Sequence, residues 1–139
     1  MAASLDDILT TQKNGVIAIN NIGQAALGLW NYSKGTVISS GSAPTGVFGI
    51  LYTAPIGTQI AIVDIEVCNT ATTPGTFTIC LVPVGGAAGA STALFYNAPI
   101  SGNTTVQWTG QQVLLAGGTV QAQASVADIT FKIGGGPGQ

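Results

Sequence analysis

Arginine and histidine do not occur in this chain of 139 residues, and only 6% of its residues are charged, against about 25% in ordinary soluble domains. The ions can be named in full: Asp6, Asp7, Asp64, Glu66 and Asp128 against Lys13, Lys34 and Lys132. Three scattered lysines cannot neutralise a run of phosphates, so no nucleic-acid partner is expected. The missing histidine removes the commonest general base and a frequent metal ligand. Long apolar runs are lacking too. Gly, Thr, Asn and Pro interrupt each one before it nears the ~20 residues of a spanning helix, so no membrane partner is expected. Met1 to Asp7 is acidic and has no following apolar stretch, unlike a secretory leader. The expectation is a chain made in a cytoplasm, with Cys68 and Cys80 reduced.

What is present is apolar and neutral-polar. Hydrophobic residues make up 46% of the chain, with 20 glycines, and Thr, Ser, Asn and Gln carry the polarity. The length suits one domain. Low charge beside high apolar content describes a surface prepared to be covered, which favours an assembly subunit over a free monomer.

Three stretches can be told apart. Residues 1–34 read as an arm, partly helical. Ser4 is a plausible N-cap, Asp6 and Asp7 complement the dipole of a first turn, and a helix is predicted over Leu5 to Thr11. Apolar residues at Leu5, Leu9, Val16, Ile19, Ala26 and Trp30, with Gln12 and Gly23 filling the two gaps, follow steps of four and three, a weak seam of the kind that packs identical helices together. Asn14-Gly15 and Asn20-Asn21-Ile22-Gly23 argue against an unbroken helix.

Over residues 35–133 the period becomes two. In Thr76 to Val82, Phe77, Ile79 and Leu81 face one way and Thr78, Cys80 and Val82 the other. Residues 120–126, 128–133 and 106–109 alternate similarly, and Val37-Ile38, Phe48 to Tyr52 and Ala93 to Tyr96 supply short strands. From Thr58 to Cys68 the parity switches between Ile62 and Val63, as at a β-bulge, a bend or a strand buried on both faces. Turn residues separate the strands, including Thr73-Pro74-Gly75, Gly85-Gly86, Ala98-Pro99 and Gly117-Gly118. The fold class is all-β: an antiparallel sandwich or jelly roll of seven or eight strands behind a short helical arm. Phe77, Ile79, Leu81, Ile65, Val67, Val106, Val120, Phe131 and Ile133 are expected in its core. Residues 134–139, four of the six glycine, read as a flexible tail.

Candidate chemistry is sparse. Asp64 and Glu66, at i and i+2, would share one face of a strand, where they could bind a cation or do acid–base work. The polar face of a half-buried strand explains them better. Cys68 and Cys80, taken as lying on the two arms of a hairpin turning near Thr72, fall ~13 Å apart along the strands and read as free thiols. The glycines of Val84 to Ser91 lack the Lys-Ser/Thr of a phosphate loop. Trp108, Tyr96 and Tyr52 could line a glycan site, although aromatic residues in strands are usually core or interface. No catalytic, cofactor or metal residues are assigned, and the chain is expected not to be an enzyme.

The segment Leu51 to Ile133 resembles small β-sandwich structural proteins of tailed bacteriophage virions. The likeness is carried by Leu51-Tyr52-Thr53-Ala54-Pro55-Ile56-Gly57-Thr58, by Val67-Cys68-Asn69-Thr70 with Thr76 to Pro83, by Ala93-Leu94-Phe95-Tyr96-Asn97 with Pro99-Ile100, and by Leu115 to Val120 with Gln123-Ala124-Ser125. The leader Leu5 to Gly15 is similar to one on phage virion proteins. The resemblance implies a virion location and a capsid decoration (cement) or head-fibre role, or alternatively a tail, neck or adaptor component. It brings no catalytic residues and no cofactor. The expected partners are further copies of the chain, as a homotrimer, and the major capsid protein or another virion protein. Leu5, Ile8, Leu9, Val16 and Ile19 are the expected docking residues. From another class, a carbohydrate-binding module for host recognition would need an exposed Trp or Tyr platform beside carboxylates or amides.

Overall fold

The structure is a computed structural model that describes residues 36–137. The arm helix and its docking residues Leu5, Ile8, Leu9, Val16 and Ile19 lie outside the described residues. The described chain forms β1 (Thr36–Ser42), β2 (Gly49–Thr53), β3 (Ile60–Asn69), β4 (Gly75–Val82), β5 (Ala93–Ile100), β6 (Thr104–Leu114), β7 (Thr119–Ala124) and β8 (Ile129–Pro137), with one 3-10 turn at Ala90–Thr92.

The strands make two antiparallel sheets, ordered β1-β8-β3-β6 and β2-β7-β4-β5. First pairs with last throughout: β1 with β8, β2 with β7, β3 with β6 and β4 with β5. The described chain is therefore one long hairpin, doubled at residues 83–92 and rolled up, which is the jelly-roll topology.

The rolled hairpin buries one face of each sheet. Ile60, Ile62, Ile65, Val67, Phe131 and Ile133 from the first sheet meet Phe77, Ile79, Val120, Ala122 and Ala124 from the second. Phe77 anchors the core, 5.3 Å between ring centroids from Phe95 and 6.2 Å from Phe131. The parity switch in β3 is a bulge. Its register shifts between Ile62 and Asp64 against both β6 and β8, so Ile62 and Ile65 can both face the core. Leu81 and Val106, expected in the core, pack against it while only partly buried.

Three expectations change. The segment Val67 to Cys80 is not a hairpin, because β3 and β4 belong to different sheets and the 70–74 loop crosses between them. Buried Asn69 holds that crossing: its Nδ2 donates to the Thr73 carbonyl (2.8 Å) and its Oδ1 accepts from the Ala71 N–H (3.1 Å). Ala98 and Pro99 are no turn but part of β5, a strand at the sheet edge, where a missing N–H is tolerated. Residues 134–137 are not a loose tail but the end of β8, paired with β1 and β3. A Cβ on Gly134 would collide with the Asp64 carboxylate, and one on Gly135 with the Ala61 carbonyl of β3. These glycines allow close strand approach.

Candidate interaction surface

The rolled hairpin gives the domain two ends with different chemistry. At one end lie loops 43–48, 70–74, 101–103 and 125–128. Backbone hydrogen bonds tie them together: Thr70 N–H to Asp128 (3.0 Å), Asn103 N–H to Ala71 (2.8 Å) and Ala124 N–H to Pro44 (3.3 Å). Thr, Ser and Asn supply seven of the 18 loop residues at this end, Asp128 gives it a charge, and Val47 is exposed on it (60%).

At the other end lie loops 54–59, 83–92 and 115–118. Ala54 donates to the Gly118 carbonyl (2.9 Å) and accepts from the Gly117 N–H (2.9 Å), joining two of the loops. A Cβ on Gly117 would stand 2.8 Å from Val84 Cγ2, so the third loop lies against the same turn. These loops contain no charged residue. They expose Ile56 (97%), Val84 (66%) and Leu115 (59%), and Val113 is exposed where β6 leads into them. Single exposed aliphatics need no explanation, but large ones on three adjoining loops form a patch. The described chain also begins and ends on this side. Thr36 pairs with Gly135, and Pro137 pairs with Ile60, the first residue after loop 54–59.

The remaining ions lie on the outer face of the first sheet. Lys132 Nζ stands 3.4 Å from Glu66 Oε2, with both side chains partly exposed, and such a pair contributes little stability. It borders a hollow of about 390 Å³ that also includes Ser40, Cys68, Thr105 and Thr130. Asp64, half-buried, has its carboxyl raised above the ordinary carboxylate range. Burial is the main cause and the Glu66 charge the second, while the Gly134 N–H and Lys132 pull the other way. Asp64 and Glu66 thus share a strand face as expected. Among the described residues no third metal-ligating group joins them.

On the second sheet, β5 bulges opposite Thr78. Asn97 takes a left-handed conformation (φ 47°), its N–H donates to the Thr78 hydroxyl (2.9 Å), and Tyr96 is left 58% exposed. Tyr52 and Trp108 instead pack against the core. An adjoining hollow of about 150 Å³ is lined by Thr76, Thr78, Asn97, Gln123 and Ser125, below the ~300 Å³ where ordinary ligand pockets begin. Both cysteines are free thiols. Cys68 faces outward on the first sheet, and Cys80, on the second, donates to the Gly89 carbonyl (3.5 Å).

Among the described residues no helix is long and apolar enough to cross a membrane. The chain matches no protein-family model and no curated protein. Among solved structures it is similar to one titled "Structure of infectious bursal disease virus Gx strain", with 17% identity, a TM-score of 0.33, and coverage of 69% of this chain and 27% of that one. The chain thus spans about a quarter of that protein's length. A likeness at this level carries no weight for fold or function.

Sequence reading missed the apolar end, having taken its loops only as turns. The available signal was large aliphatics set inside charge-free turn sequences: Ile56 in Ala54-Pro55-Ile56-Gly57, Val84 before Gly85-Gly86, and Leu115 before Ala116-Gly117.

Proposed function

We propose that this chain is a non-enzymatic structural subunit of a virus particle, of the decoration or head-fibre type in a tailed phage. Its arm docks it to neighbours, and its jelly roll covers or projects from the surface. The observation that carries this reading is a nearly chargeless jelly roll whose uncharged, apolar end is also the end where residues 1–35 join it. The jelly roll recurs in viral capsid proteins, as well as in lectins and cupins, and fold alone does not choose among these. Low charge and exposed aliphatics favour a subunit that works covered over one that works free. Such a subunit strengthens a particle through many repeated contacts, each weak alone.

The test is removal of residues 1–30. The reading expects a folded β-domain that has lost trimer formation, binding to undecorated particles, or both, as read by sedimentation and co-sedimentation. A truncated chain that assembles and binds like the full one contradicts it.

Exposed Tyr96 beside the Asn97 amide favours one second reading, a glycan-binding module. It requires glycan binding in solution that Tyr96→Ala abolishes.

A further inference from the structure

We infer that the apolar end bearing Ile56, Val84 and Leu115 is the face through which copies of this chain meet. The inference rests on the self-association reading above and adds where on the β-domain the copies touch. Four ionic side chains occur in the described residues: Asp64, Glu66 and Lys132 on the outer face of the first sheet, and Asp128 at the opposite end. Among the described residues the apolar end, like the outer face of the second sheet, carries no ion, so two copies can approach there without these four charges opposing each other. They can do so without leaving an ion unpaired.

The covalent path points to the same end. Residues 1–35 reach the β-domain at Thr36, beside the strand ends that lead into loop 54–59. From Ile19, the last residue of the expected docking set, to Thr36 there are 17 peptide steps by position, so the two stand at most about 60 Å apart at ~3.5 Å per residue. If copies are held together through Leu5, Leu9, Val16 and Ile19, their apolar ends are confined near one another at an effective concentration on the order of millimolar.

That confinement is needed. A few exposed aliphatics bury far less than the ~1,200 Å² of an independently stable interface, so the end is too small to pair free domains. A second copy tethered at the same end is the occupant that suits a patch of this size and neutrality. A free partner would have to bind it unaided.

The test uses the full-length chain with Cys68→Ser, leaving only buried Cys80, and adds either Ile56→Cys or, as control, Gln107→Cys on exposed β6. Each protein is treated with a bis-maleimide across a dilution series, with sedimentation velocity run in parallel. The expected result is an oligomer in which position 56 links copies about ten-fold more efficiently than position 107, with a yield that does not fall on dilution while the oligomer persists. Ile56→Asp with Val84→Asp should weaken the oligomer about ten-fold or more, and circular dichroism should show the β-domain still folded. An intact oligomer in which position 56 links no better than 107 overturns this face and leaves self-association standing. A monomer at all concentrations overturns both.

Discussion

Gly134 on β8 stands directly opposite Asp64 on β3, and its backbone N–H is hydrogen-bonded to the Asp64 carboxylate. Any Cβ at position 134 would fall on that carboxylate. Gly134→Ala should therefore destabilise the domain by about 1–3 kcal/mol, as overpacking usually does. Adding Asp64→Ala should recover part of the loss, with a coupling of about 0.5–3 kcal/mol in urea unfolding. Strictly additive effects would mean the two residues do not meet.

Asp64 also gives the domain a pH dependence of known sign. Its carboxyl is raised in the folded state, chiefly by burial, so the folded protein holds that proton more tightly than the unfolded chain. The protonated form favours folding. The advantage is full below the ordinary carboxylate value of ~3.9, declines as pH rises through the raised folded value, and is absent above it. Asp64→Asn keeps an oxygen for the Gly134 N–H and removes the charge. It should be at least as stable as the parent at neutral pH, with the difference shrinking toward pH ~3. A variant that loses stability relative to the parent as pH rises would reverse the assignment.

Among the described residues Phe77 and Phe131 are the largest buried side chains, and Phe77 touches both Phe95 and Phe131. Phe77→Ala should lower stability by ~3–5 kcal/mol, the range for a fully buried aromatic. A loss under ~1 kcal/mol would mean the strand presents its other face to the core.

Cys68 and Cys80 stand on different sheets as free thiols. Protein unfolded without reductant should titrate two thiols, and recovery of none would require different strand pairing.

The sandwich was legible because one-sided burial enforces alternation. Phe77, Ile79, Val120, Phe131 and Ile133 were read into the core and are buried there. The parity switch at Ile62 and Val63 marked a real bulge. Alternation reports which face of a strand is buried and not which strand lies beside it, so the β3–β4 segment read as a hairpin although its loop crosses between sheets. Composition misled at Gly134 and Gly135, where glycine permits close packing against β3. The patch of Ile56, Val84 and Leu115 had no period to betray it. Only the rolled topology brings those three loops together.

The proposed reading makes this chain a virion protein, and quantitative mass spectrometry of purified particles from cells in which the chain is produced tests it most directly. A decoration or head-fibre subunit predicts the intact chain, residues 1–35 included, in many copies per particle and in fixed ratio to the major capsid protein. Absence from washed, infectious particles, with the chain recovered only in the soluble lysate, would contradict it.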